Sequence, residues 1–249
     1  MSQPPAAGEH RAGLGVMLVA VGFPSLLTWG YFVALADAPA AARLAVYTLG
    51  KMFQFALPLA WWLCEAGRRQ LVRGTSERPK DGVQAAWGFA VGAAMFAGML
   101  GVYYGVLRPW GWLAGAEVAV HRKLTGFGVT GSWSFLALAS FYAVVHAGLE
   151  EYYWRWFVFG QLRDRMALPW ALAISSVAFA AHHVILLKVY VGMGLLGIAG
   201  ALAVAAAGGV WAWMYHRSGS LVGPWASHIL ADAAIFVVAW DLAGPVLAK

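Results

Sequence analysis

Glu150, Glu151 and Arg155 are the first of three groups of ionisable residues set in otherwise apolar sequence. The second is His182 and His183, with Phe179 one helical turn before His183. The third is His228 and Asp232. Phe179 to His183 and His228 to Asp232 are both four apart, so on a helix each pair shares a face. Glu151 and Arg155 have the same spacing and can pair, while Glu150 points about 100° away and stays free. A carboxylate and an imidazole within reach of a water make a general-base arrangement. A second imidazole with a donor beside it can stabilise an oxyanion. Together these suit hydrolysis of an amide without a covalent intermediate. Ser175, Ser176, Ser220 and Ser227 lack a G-x-S-x-G setting, and H-E-x-x-H is absent. Glu150, His183 and His228 would be a chemically competent zinc set, but the favoured reading needs no metal and no cofactor.

The elements that must position these groups are membrane helices. The chain of 249 residues is 61% hydrophobic and 11% charged, and it divides into apolar runs long enough to cross a bilayer. An ionised carboxylate in lipid costs roughly 2.5 kcal/mol or more, so such groups face a protein interior or a water pocket and are functional by default. The expected fold is all-α, a polytopic bundle of about seven transmembrane helices. Spans are expected at about Leu14–Ala36, Leu44–Cys64, Val83–Leu107, Trp133–Glu151, Leu168–Leu187, Val191–Tyr215 and Leu221–Leu242. An eighth follows if Trp156 to Leu162 is a separate element rather than a continuation along the interface. Residues 1–11 read as a disordered tail, 12–131 as N-terminal membrane helices with their loops, and 132–249 as the catalytic core. The first run is too long for a signal-peptide core, despite Ala34-Leu35-Ala36 resembling a cleavage site.

Within these spans, Gly88 and Gly92 have the spacing that lets helices approach closely. Lys51 is read as snorkelling or pairing with a carboxylate rather than facing an active cavity. Between the third and fourth spans, an interfacial helix would lay Trp110, Trp112 and Leu113 on lipid and Arg122 and Lys123 in water. The aromatic run Tyr152, Tyr153, Trp154, Trp156 and Phe157 reads as a substrate groove or as an interfacial belt. The single cysteine, Cys64, excludes an intrachain disulfide framework. The net charge of +6 sits in short loops, where it sets orientation rather than binding nucleic acid. With the N-terminus inside, ten basic residues fall inside against six outside, which puts Glu150 and Glu151 near the cytoplasmic face.

In these residues the chain resembles the CPBP family, which includes type II CAAX prenyl endopeptidases, bacteriocin-processing proteins and abortive-infection-type membrane proteins. The family pattern is E-E-x-x-x-R, F-x-x-x-H, then H-x-x-x-N or H-x-x-x-D. Here it reads Glu150-Glu151-x-x-x-Arg155, Phe179-x-x-x-His183 and His228-x-x-x-Asp232. The resemblance runs from about Ala147 to Phe236 and implies a glutamate-type intramembrane endopeptidase. By carry-over, Glu150 and His183 activate water, Glu151 and Arg155 orient that site, and His228 with Asp232 stabilises the oxyanion. An ionised Asp cannot donate a hydrogen bond as Asn can, so Asp232 is either protonated or orients His228. His182 is a second candidate base, and His146 is a polar neighbour without a family role. The implied partners are membrane lipid and a membrane-anchored, lipidated or hydrophobic-tailed protein or peptide. The competing classes are a proton-coupled transporter, for which no inverted repeat is visible, and a non-catalytic immunity or scaffold protein.

Overall fold

The computed structural model describes residues 13–66 and 81–247. The expected tail at 1–11, the loop residues Arg68, Arg69, Arg73, Arg78 and Lys80, and Lys249 lie outside the described residues. The described chain forms eight helices, without strands among the described residues. They are α1 (Leu14–Ala34), α2 (Ala40–Ala66), α3 (Asp81–Leu107), α4 (Ala116–Gly126), α5 (Ser132–Arg163), α6 (Leu168–Tyr190), α7 (Leu195–Ser218) and α8 (Val222–Leu247).

Six of them (α1, α3, α5, α6, α7 and α8) are long and apolar enough to span a membrane. α2 has 27 residues, about 40 Å of helix, but it carries Arg43 and Lys51. With α2 the bundle has the expected seven spans. α4, with 11 residues, is too short to cross. Trp156 to Leu162 is no eighth element, because α5 runs unbroken for 32 residues. The acidic pair therefore lies within a span rather than at its end.

α5 is the hub, in contact with α1, α2, α6, α7 and α8. Its middle is irregular. Phe141–His146 and Tyr152–Phe159 are π-helical, and the one regular turn between them, Ala147–Glu151, carries both glutamates. A π-turn widens the helix and disturbs its hydrogen-bond ladder, and such bulges collect at functional sites. Here the Trp225 indole of α8 donates to the Val144 carbonyl at 2.8 Å, tying the first π-turn to α8. A second tie comes from proline. Pro24 inside α1 has no N–H, which leaves the Ala20 carbonyl without its helical donor. The buried Tyr153 hydroxyl of α5 donates to that carbonyl at 2.7 Å.

α8 is set by close backbone approach. A Cβ on Gly88 would collide with the Gly223 carbonyl, and one on Gly92 would lie 2.8 Å from the Ser227 Cα. The small-residue face expected on α3 thus packs against α8, one residue before His228. Within the aromatic run of α5, Tyr153, Trp154 and Phe157 are at most 1% exposed and belong to the main core rather than to a groove or belt, while Tyr152 and Trp156 are half-buried and stack on each other at 5.2 Å.

Candidate active site

The three ionisable groups meet. Glu151 is fully buried and doubly held: its Oε2 lies 3.1 Å from Arg155 Nε, and its Oε1 lies 2.8 Å from His228 Nδ1. A carboxylate only accepts, so His228 donates through Nδ1, which leaves Nε2 turned toward Glu150 Oε2 (3.9 Å) and Asp232 Oδ1 (3.6 Å). Aromatic faces complete this array. The Arg155 guanidinium sits 4.5 Å from the Phe179 ring and 5.1 Å from Trp211, and Trp211 stacks on His228 at 4.1 Å. The cation is thereby held by one carboxylate and two rings in a water-poor setting, where cation–π attraction is strongest.

Glu150 has different surroundings. Three imidazoles ring it: His182 Nε2 at 3.5 Å, His146 Nε2 at 3.9 Å and His228 Nε2 at 3.9 Å. His182 is set by stacking parallel to Trp154 at 5.8 Å. His183 lies beside it, with Nδ1 at 3.0 Å from the Phe179 carbonyl. A carbonyl only accepts, so Nδ1 carries the proton and Nε2 is left as an acceptor. Glu150, His182 and His183 each present a ligand atom, all within 4.8 Å of one another. His228 is not part of that triad, unlike in the metal set considered from sequence, because Glu151 turns it.

Glu150, His146, His182, His183 and Asp232 line a largely apolar cavity of about 450 Å³. Lys51 lines it too, against the expectation that it snorkels, and it lies over the Tyr47 and Phe55 rings. α4 and the turn before it are part of the wall: Leu113 in that turn lines the cavity rather than lipid, and Lys123 of α4 lines it rather than facing water. His182, His146 and Lys51 are the neighbours of Glu150 that motif spacing ranked low. The signal for them was their depth in apolar runs.

The wall is built from the end of α1, the start of α2, α4, the first half of α5 and the second halves of α6 and α8. It lies on the side of the bundle where α1 ends. An N-terminus inside would turn that side away from the cytoplasm. The two expectations, N-terminus inside and a site reached from the cytoplasm, are therefore incompatible in one topology.

A site of this composition on the α5–α6–α8 face is what the E-E-x-x-x-R resemblance implies, and comparison with protein families bears the resemblance out. Residues 132–234 match the family of type II CAAX prenyl endopeptidase Rce1-like proteins. No curated protein and no solved structure matches the chain. The Rce1-like segment covers α5, α6, α7 and the first half of α8, and so holds Glu150, Glu151, Arg155, His183, His228 and Asp232. It implies a membrane peptidase. Helices α1 to α4 lie outside it; of these, α1, α2 and α4 supply the remaining cavity wall together with the second half of α8.

Proposed function

We propose that the protein is an intramembrane endopeptidase that hydrolyses a peptide bond in a membrane-anchored, lipidated or hydrophobic-tailed substrate. The observation that supports this most directly is a buried glutamate with no lysine or arginine at ion-pair distance among the described residues, ringed by imidazoles at the wall of an apolar cavity. In this reading Glu150 and a neutral imidazole take the proton of a water as it attacks the carbonyl carbon. His183 serves as that imidazole through its unprotonated Nε2, with His182 the nearer alternative. In its doubly protonated form His228 donates through Nε2 toward the developing oxyanion, while its Nδ1–H is held by Glu151, which Arg155 fixes in turn. Asp232, on the cavity side of His228, orients that ring. The proton then passes to the leaving amine, so no covalent enzyme intermediate forms.

A second reading rests on the Glu150–His182–His183 triad, whose ligand atoms could hold zinc. One experiment separates the two. Purified protein in nanodiscs is given lipidated and tail-anchored reporter peptides, with and without chelator, alongside His182→Ala and His183→Ala. Cleavage indifferent to chelator and lost in His183→Ala supports the water-activating pair. Cleavage lost with chelator and restored by zinc moves Glu150 and the two histidines into a metal site. No cleavage of any reporter by folded wild type sinks the peptidase reading for these substrate classes.

A further inference from the structure

A second cavity, of about 540 Å³, lies between the first half of α5 and the second half of α8, with Tyr104 of α3 at one end. Its α5 wall runs from Ser132 to Val144, about 18 Å of helix. That is close to the depth of one leaflet, half of a hydrocarbon core about 30 Å thick. The lining is largely apolar, and its one charged group, Asp241, stands at the end where α5 begins. Exposed Trp110, Trp112 and Trp133 put that end at the level of the lipid headgroups.

Asp241 is fixed there through one oxygen. The buried Tyr103 hydroxyl donates to Oδ2 at 2.6 Å, and Arg108 Nε lies 3.3 Å from the same atom. Oδ1 has no partner among the described residues, on a side chain that is 25% exposed. The Arg108 side chain is 58% exposed, with its guanidinium 5.5 Å from the Tyr104 ring. A guanidinium has five N–H donors, so a contact through Nε does not exhaust it. An acceptor for a cation and a donor for an anion thus stand side by side at the headgroup end of a groove as long as an acyl chain. A zwitterionic headgroup is their complement, with its phosphate on Arg108 and its ammonium on Oδ1. A primary ammonium can donate to Oδ1, whereas a trimethylammonium cannot. An anionic headgroup brings no cation for Asp241.

We propose that this groove binds one phosphatidylethanolamine molecule from the surrounding leaflet, with its ammonium on Asp241, its phosphate on Arg108 and one acyl chain between α5 and α8. The site is independent of hydrolysis at Glu150. Phe236 lines both cavities and packs on Phe135 at 5.9 Å and on Tyr142 at 6.0 Å, so the chain would brace the wall that faces Glu150. A lipid anchor carried by a substrate would fill the same groove without an amine for Asp241. An Arg108–Asp241 pair that only ties α3 to α8 would not tell a primary ammonium from a methylated one.

The test uses the full chain in nanodiscs that hold equal amounts of phosphatidylethanolamine, phosphatidylcholine and phosphatidylglycerol with the same acyl chains. Lipid retained on the protein after transfer to detergent is read by native mass spectrometry. Wild type is expected to retain phosphatidylethanolamine about tenfold over phosphatidylcholine, since one charge-assisted hydrogen bond is at stake, with the N,N-dimethyl lipid between them. Asp241→Asn keeps an oxygen for Tyr103 and should bring that ratio close to one. Arg108→Gln should weaken all three lipids, because each carries the phosphate. Ser140→Phe fills the groove from an exposed position and should empty the site. If a variant fails to fold, the headgroup series on wild type still decides. Equal retention of the three lipids overturns the proposal. Preferential retention of phosphatidylglycerol makes Arg108 a plain anion site and overturns it as well. A phosphatidylethanolamine preference unchanged in both Asp241→Asn and Ser140→Phe puts the lipid elsewhere on the molecule and overturns the assignment. A prenylated reporter peptide that is retained by wild type, lost in Ser140→Phe and indifferent to Asp241→Asn gives the groove to a substrate's anchor instead, with the same consequence.

Discussion

Glu150 and Glu151 are neighbours in sequence, both buried, yet they sit in two unlike regions of the molecule. The Glu151 region is closed: an ion-pair contact to Arg155, a hydrogen bond from His228, and two aromatic faces over a guanidinium whose N–H groups have no hydrogen-bond acceptor among the described residues. The Glu150 region is open: imidazoles at 3.5 to 3.9 Å and a cavity beyond them. The difference shows how a membrane bundle separates holding from reacting. Glu151 has a buried cation on one oxygen and a buried imidazole on the other. Glu150, which exchanges protons in the proposed hydrolysis, has imidazole neighbours slightly too far away to lock it.

Exchanging the two glutamates separately breaks this comparison most sharply. Glu150→Gln should lower turnover by at least about a hundredfold, the usual contribution of a general base, with thermal unfolding near wild type. Glu151→Gln should instead destabilise the protein, because Arg155 is left buried without its counter-ion. Breaking such a pair costs about 3–5 kcal/mol, read as a lowered unfolding midpoint in detergent. Gly92→Leu should push α8 away at Ser227, costing about 1–3 kcal/mol as overpacking does, and lowering turnover because His228 follows. Tyr153→Phe is milder. It strips the Ala20 carbonyl of its donor, which should cost about 1–2 kcal/mol in the same unfolding measurement while sparing the KM for a reporter peptide.

The smallest effect concerns the far end of the cavity. Burial lowers the Lys123 amine to about 8, and the charge of Arg43 adds to this. Around it stand Tyr31 from α1 and Arg43 from α2, with Tyr142 and Tyr190 on the cavity wall. The amine is charged below that pH and neutral above it. The unfolding midpoint in detergent should therefore rise as pH climbs from about 8 toward 10, where the unfolded chain still holds the proton that the folded one has lost. A midpoint that falls or stays flat across that range in wild type, matching Lys123→Met, would contradict a buried amine at Lys123.

Much of this was legible in the sequence, for identifiable reasons. Apolar runs of bilayer length gave seven spans, and the Gly88–Gly92 spacing gave the close face of α3. The four-residue spacings of Glu151–Arg155, Phe179–His183 and His228–Asp232 survive because a helix face is a local property. What failed was tertiary. The acidic pair read as a span's end because aromatic, basic sequence follows it, yet Tyr153, Trp154 and Phe157 bury themselves and carry α5 on to Arg163. Lys51 read as snorkelling because nothing in α2 shows that its face meets Glu150 across the bundle. Lys123 read as solvated because three rings from two elements enclose it. The way into the site was also hidden, since it depends on which halves of six helices diverge.

The most direct test of the central claim is turnover per folded molecule for Glu150→Gln and Glu151→Gln, measured with one tail-anchored reporter in nanodiscs and corrected by the unfolding midpoint of each protein. The division of labour between the two residues predicts a Glu150→Gln protein that is folded and inactive, and a Glu151→Gln protein whose loss follows its loss of fold. A Glu150→Gln protein that is folded and still cleaves at a wild-type rate would contradict it.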